Sequence, residues 1–102
     1  MVKSLQIAYS TKNGTTFNYE YYMKNHMELI GTVMWLHGEN IQVTEGLSGA
    51  QDTLAPFYAV ATILYKDQGV LEASLALVGQ AFEDARNYYD WQPTVLIGEV
   101  VY

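Results

Sequence analysis

The stretch FYAVATILY, from Phe57 to Tyr65, is the part of the sequence that decides the fold. It is rich in β-branched and aromatic residues. Because it is apolar at both its odd-numbered and its even-numbered positions, it is typical of a strand that buries both of its faces. Such a strand needs neighbouring strands in a sheet, and it needs cover on each side of that sheet. The remaining elements are therefore predicted outward from it.

Three further strands are predicted from alternating apolar residues bounded by turn residues. They are Val2–Tyr9, Ile41–Thr44 and Thr94–Tyr102. A turn at Lys12-Asn13-Gly14 ends the first strand, and Pro93 precedes the last. The sequence therefore predicts four strands that are separated by two longer segments of helical periodicity.

Two helices are predicted in those segments. The first begins near Thr15 or Thr16, whose hydroxyl can cap it, and ends between Ile30 and Leu36. The second is capped by Asp67 and can break or kink at Gly79. Its apolar stripe consists of Leu71, Leu75, Val78, Phe82 and Ala85.

The order β-α-β-β-α-β predicts an α+β, ferredoxin-like fold, in which both helices cover one face of an antiparallel sheet. At 102 residues the chain is predicted to form one domain, residues 1–102. Two helices cover only one face, and the last two strands are apolar on both parities. We therefore expect a homodimer that covers the second face.

Charge and composition exclude several classes of partner. The net charge is −6 and the five basic residues are scattered, so no nucleic-acid partner is expected. No apolar run approaches the roughly 20 residues that span a bilayer, and no signal-peptide pattern is visible. The chain has no cysteine, which agrees with a reducing compartment. These features predict a cytoplasmic protein without a membrane partner.

His26 lies in an unexpected place for an imidazole. On a helical wheel, the first helix has an apolar half with His26 near its middle and Tyr22 one turn before it, while Tyr21 points to the outer half. The members of the apolar half are Tyr19, Tyr22, Met23, His26, Leu29, Ile30, Val33 and Met34. A buried histidine has one donor and one acceptor that need partners.

Two interpretations of His26 follow from this position. In one it is a core residue that is hydrogen-bonded to Tyr22 or to a backbone carbonyl. In the other it lines a pocket for a small hydrophobic molecule, where His26 moves a proton, Tyr22 orients it, and Tyr19 and Met23 contact the ligand. The two interpretations differ in whether a cavity opens at the imidazole.

Two motifs in this chain resemble those of the EthD family. The first, YYMKNHMEL over residues 21–29, is similar to that family's Y-Y-x-x-x-H-x-x-L signature. The second, NYYDWQP over residues 87–93 and followed by Gly98-Glu99-Val100, is similar to its second motif, with Tyr88 where Phe is more usual. The resemblance implies a dimeric α/β barrel, and it adds Tyr88, Asp90 and Trp91 as candidate ligand contacts. For Asp90, the local sequence favours a cap of the turn before Pro93 over a ligand contact. The family is named for ethyl tert-butyl ether degradation but has no agreed chemistry.

No metal or other cofactor is predicted. The chain has two histidines, and if the first helix continued to His37 the imidazoles would be roughly 16 Å apart, too far to share an ion. Related barrels include haem-degrading monooxygenases that use a helical histidine, but strand one offers no matching amide partner here. Whether the protein is an enzyme stays open. The alternatives are an acid/base enzyme, a non-catalytic module that binds a hydrophobic metabolite, and a structural dimer without ligand.

Overall fold

The computed structural model describes residues 1–34 and 40–102, and of residues 32–34 it describes only the backbone. Within these residues four strands form one antiparallel sheet in the order β2-β3-β1-β4. The strands are β1 (Lys3–Ser10), β2 (Asn40–Glu45), β3 (Phe57–Tyr65) and β4 (Thr94–Glu99). The predicted ferredoxin-like topology is confirmed, with the doubly apolar strand β3 at the centre.

The two helical segments are each interrupted. The first consists of α1 (Tyr19–Tyr21), a π-helical turn (Tyr22–His26) and α2 (Met27–Met34). The second consists of α3 (Gln68–Leu75), α4 (Gly79–Asp84) and a 3-10 turn (Ala85–Asn87). A further 3-10 turn, Ala50–Asp52, lies in the loop between β2 and β3. The second helical segment does break, but at residues 76–78, so that Gly79 begins α4 instead of interrupting a helix. His37 and Gly38 lie outside the described residues.

The first helix begins three residues later than predicted. Asn18, not Thr15 or Thr16, is its cap, because the Asn18 side chain accepts a hydrogen bond of 3.0 Å from the backbone N–H of Tyr21. The chain before it is extended instead of helical, since Phe17 forms a β-bridge with Tyr89. The predicted cap of the second helix is confirmed, because the Asp67 carboxylate accepts from the backbone N–H of Val70 at 2.9 Å.

The core lies between the helices and one face of the sheet. Leu5, Ile7 and Tyr9 of β1 alternate toward this core, and alternate residues of β3 join them. The residues that cover them from the helical segments are Tyr22, Ile30, Leu71, Val78, Ala81 and Ala85. One buried polar pair ties the layers together, since the hydroxyls of Tyr65 and Ser74 are 2.8 Å apart.

The opposite face of the sheet has no cover within the described residues. Its central positions pair Ala8 with Val60 and Gln6 with Thr62, and both residues of β3 remain half-buried. Strand β4 is exposed on both faces, because Leu96 lies beside Gln6 on this open face while Val95 lies beside Ile7 on the helix side. The helical layer therefore stops short of the β4 edge.

Candidate functional site

The site begins at the π-helical turn of the first helix. There the backbone N–H of Met27 donates to the carbonyl of Tyr22, five residues back, so the turn is wider than an α-helical one. Such turns within α-helices are frequently found at functional sites. Tyr22 and His26 begin and end this turn and both are buried, and the Tyr22 ring packs against Tyr9 of β1. Their rings stack with centroids 5.2 Å apart and planes 17° from parallel.

The buried imidazole of His26 is held from one side by Asp84. Only 3% of His26 is exposed, and its Nδ1 lies 2.9 Å from Oδ2 of Asp84 at the end of α4. An ionised carboxylate can only accept hydrogen bonds, so the proton of a neutral imidazole belongs on Nδ1. The pair joins the two helical segments of the fold at one point.

The same carboxylate is hydrogen-bonded by two other side chains. The hydroxyl of Tyr21 donates to Oδ1 of Asp84 at 2.7 Å, and Nδ2 of Asn87 donates to the same oxygen at 3.1 Å. The wheel that assigned Tyr21 to the outer half of the helix is therefore wrong. The wide π turn changes the register of the helix, so Tyr21 and His26 both reach Asp84.

Two tyrosine hydroxyls extend the series of hydrogen bonds on the other side of the imidazole. The hydroxyl of Tyr88 lies 3.3 Å from Nε2 of His26, and the hydroxyl of Tyr9 lies 2.6 Å from that of Tyr88. Because Nδ1 carries the proton, Nε2 is the acceptor and Tyr88 donates to it. The Tyr88 oxygen then accepts from Tyr9. We call this series, from Asp84 through His26 and Tyr88 to Tyr9, the Asp84–Tyr9 chain.

Burial sets the protonation states along the Asp84–Tyr9 chain. It lowers the pKa of His26 below the ordinary 6.5, and Asp84 opposes that shift only in part. Desolvation also acts to raise the pKa of Asp84, but its hydrogen bonds, led by those from Tyr21 and His26, bring this pKa below its usual value. Burial raises the pKa of Tyr88 and of Tyr9. At neutral pH the Asp84–Tyr9 chain therefore consists of an ionised Asp84, a neutral His26, and Tyr88 and Tyr9 with protonated hydroxyls.

The pKa of His26 also relates stability to pH. The unfolded chain takes up this proton first as the pH falls, because its imidazole has the higher pKa. The contribution of His26 to stability is therefore full above pH 6.5, and it is lost as the pH falls through the lower pKa of the folded state.

Replacing Asp84 by asparagine should lower the pKa of His26 further, because the substitution removes the charge that favours the imidazolium. The measurement is an NMR titration of the imidazole Cε1 proton, with a His37→Gln variant to assign the two histidines. Glu83→Gln is the matched control, since Glu83 is the exposed neighbour of Asp84. A rise of the His26 pKa in Asp84→Asn, or an equal change in both variants, would contradict the assigned pairing.

The predicted ligand contacts lie at different places on the surface. Tyr19, Tyr88 and Asp90 line one open pocket of about 530 Å³ between the start of α1 and residues 86–90. Trp91 is 59% exposed and lines other pockets, beside α4 and β4. Met23, which the wheel assigns to the apolar half, is 56% exposed and lines none of the four pockets described for this surface. His26 and Tyr22 line none of these four pockets either.

Asp90 links the segment after α4 by hydrogen bonds to the residues that precede the first helical segment. One of its carboxylate oxygens accepts from the backbone N–H of Thr16 at 2.8 Å, and the other accepts from the Thr16 hydroxyl at 3.1 Å. The backbone N–H of Asn18 donates to the carbonyl of Tyr88 at 2.8 Å beside it. These contacts hold Tyr88 against the first helical segment. The hydrogen bonds, led by the Thr16 N–H, lower the pKa of Asp90.

Sequence reasoning missed three members of the site: Tyr9, Asp84 and Asn87. A signal for Asp84 is present, since it lies three residues after buried Ala81 and beside buried Ala85, so it borders the apolar stripe of the second helical segment. No comparable signal marks Tyr9, which looks like one more apolar residue of β1.

The described part of the chain contains neither a candidate metal-binding cluster nor a candidate membrane-spanning helix. In residues 1–34 and 40–102, no cluster of three His, Asp or Glu side chains is arranged to hold a metal ion. Over the same residues, the structure contains no helix with the length and apolarity needed to cross a membrane.

Comparison with known proteins identifies the fold. No family model matches the sequence, and no curated protein matches it. Among solved structures, an EthD-like protein from Ralstonia eutropha superposes with a TM-score of 0.85 at 24% identity, over 99% of this chain and 93% of that chain. An EthD family protein from Bacillus halodurans gives a TM-score of 0.64 at 20% identity, over 99% of each chain.

A third solved structure has a similar fold. A dimeric ferredoxin-like protein of unknown function from a Jannaschia species gives a TM-score of 0.57 at 12% identity, over 97% of this chain and 98% of that chain. At these identities the similarities establish the fold and not an activity. The chain has the fold of EthD-like proteins over nearly its whole length, which confirms the resemblance predicted from residues 21–29 and 87–93.

Proposed function

We propose that this chain is an EthD-like homodimer that binds a small hydrophobic molecule, from which His26 accepts a proton. One observation carries the proposal: Asp84 holds Nδ1 of a buried imidazole at 2.9 Å and leaves Nε2 as an acceptor that faces a hydroxyl. A general base that is oriented by a carboxylate has this arrangement. Burial adds support, because it keeps the imidazole neutral and able to accept a proton at neutral pH.

The surroundings of Nε2 indicate what kind of molecule would suit it. The rings of Tyr22 and Tyr88 lie 5.2 Å and 4.7 Å from the imidazole, and Phe17 packs against both tyrosines. A ligand with an acidic hydroxyl on an aromatic body would make the contact that the Tyr88 phenol makes here. Tyr88 also lines the 530 Å³ pocket, so a ligand that reaches His26 from that pocket would need the Tyr88 side chain to move aside.

The homodimer is proposed from the open face of the sheet. Val60 and Leu64 of β3 lie on that face, as does exposed Leu96 of β4, and strand β1 with Gln6 lies between them. A second copy of the same face would cover these side chains. Proteins of similar fold are described as dimeric, which supports this assembly.

A structural role for His26 is the second candidate, and a specific observation favours it. Both ring nitrogens already have partners, and the four described pockets do not include the imidazole. A third candidate, a non-catalytic module that binds a hydrophobic metabolite, shares the ligand with our proposal but needs no proton transfer. The candidates differ in whether a molecule can reach Nε2.

Phenol tests this access, because it has the functional group of the Tyr88 side chain. We expect phenol to shift the His26 Cε1 proton signal saturably in NMR titrations of the wild-type protein. Toluene, which has the same ring without the hydroxyl, should shift it less. The His37 signal of the same sample is the internal control. No saturable response of His26 to phenol at millimolar concentration would contradict the proposal and favour the structural role.

A further inference from the structure

A second apolar feature lies away from His26, between α4 and the start of β4. We define it as the Arg86 groove, with a volume of about 390 Å³. Its lining residues are Phe82, Ala85, Arg86, Trp91, Gln92, Pro93 and Val95. Its apolar residues are exposed because the helical layer does not extend over β4, which leaves the helix side of that strand without cover.

The walls of the Arg86 groove are exposed to an unusual degree for large apolar residues. Trp91 is 59% exposed, Val95 is 41% exposed and Phe82 is 36% exposed. Single exposed apolar residues are normal on a protein surface and need no explanation. Three exposed apolar side chains around one concave site do need an explanation, because together they can contact the apolar part of a ligand.

Arg86 is the charged group of this groove, and no carboxylate pairs with it. Among the described residues, Arg86 makes no ion pair and no side-chain hydrogen bond, although acidic residues outnumber basic ones by 11 to 5. Asp90 shares the neighbouring pocket with Arg86, yet both of its oxygens are bonded to Thr16. No acceptor among the described residues therefore uses the hydrogen-bond donors of the guanidinium.

We propose that the Arg86 groove binds a small apolar molecule that carries a carboxylate. The guanidinium fork matches a carboxylate with two parallel hydrogen bonds. The apolar body of the ligand lies against Trp91 and Phe82, where burial of its surface adds affinity. The net charge of −6 does not prevent this, because charges beyond roughly 8 Å are largely screened at physiological ionic strength. This site goes beyond the proposed function, since His26 is not among its residues.

Octanoate is the probe for this proposal, with octan-1-ol and octylamine as matched ligands of the same chain length. Binding is followed through the Trp91 indole N–H signal in NMR, assigned with Trp91→Phe. We expect octanoate to bind more tightly than either matched ligand. Arg86→Gln should weaken octanoate about five- to tenfold and leave octanol unchanged. Lys66→Gln, which removes an exposed charge elsewhere, should change neither.

Three results would overturn the assignment. Equal affinity for octanoate and octan-1-ol, or an Arg86→Gln variant that binds octanoate as the wild type does, would mean that the guanidinium recognises no carboxylate. The other occupant to test is a second copy of the chain. If Trp91→Ala lowers the sedimenting mass relative to the wild type, the groove is an interface between copies and not a ligand site. We expect the mass to stay unchanged.

Discussion

The His26→Ala variant is expected to lose about 2 to 4 kcal/mol of unfolding free energy. The substitution leaves a void beside the Tyr22 ring and removes the partners of Asp84 and Tyr88, of which the Asp84 carboxylate would stay charged. This is a large share of the stability of a domain of this size. Chemical denaturation at pH 7.5 measures the loss.

Met23→Ala is the matched control for that loss. Met23 lies in the same π-helical turn as His26 but is exposed, so its truncation should change stability by no more than about 0.5 kcal/mol. A loss below about 1 kcal/mol for His26→Ala would contradict the tight packing of the imidazole, because a residue that borders open space leaves little void behind. A large loss combined with no response to phenol would leave His26 as a structural residue.

The Val60→Glu variant is expected to separate the proposed dimer into single chains. Val60 lies at the centre of the open sheet face, where a second copy would bury the new carboxylate without a partner. The dimer dissociation constant should rise by about a hundredfold or more. Sedimentation at micromolar concentration should therefore show two chains for the wild type and one for the variant.

Ala73→Glu is the control for Val60→Glu, because residue 73 is exposed on the helical side and faces no sheet. It should sediment as the wild type does. Circular dichroism of both variants shows whether each still folds. A wild type that is monomeric at this concentration, or a folded Val60→Glu variant that stays dimeric, would mean that the open face is not the interface.

The sequence predicts the fold well because its signals are local and redundant. The stretch Phe57–Tyr65 is β3, one of the two inner strands of the sheet, with the bounds predicted for it. Asp67 caps its helix as predicted, since a carboxylate three residues before a free N–H acts regardless of tertiary context. Thr16 was a wrong prediction for the first cap, because its N–H and hydroxyl are engaged by Asp90, 74 residues further along the chain.

The candidate site is predicted less well, for two physical reasons. A wheel assumes a uniform turn, and the π-helical turn at Tyr22–His26 breaks that assumption, so Met23 is exposed and Tyr21 reaches Asp84. The other reason is distance along the chain. Asp84 lies 58 residues after His26, and periodicity within one helix carries no information about such a partner.

The proposed function requires that Nε2 of His26 is unprotonated and that a bound molecule can reach it in place of the Tyr88 hydroxyl. The most direct test is to follow the two imidazole nitrogens by ¹⁵N NMR during a phenol titration at pH 7.5. We predict a protonated Nδ1 and an unprotonated Nε2 at the start, and a saturable shift at Nε2 as phenol is added. A protonated Nε2 at the start, or an Nε2 signal that phenol does not change, would contradict the claim.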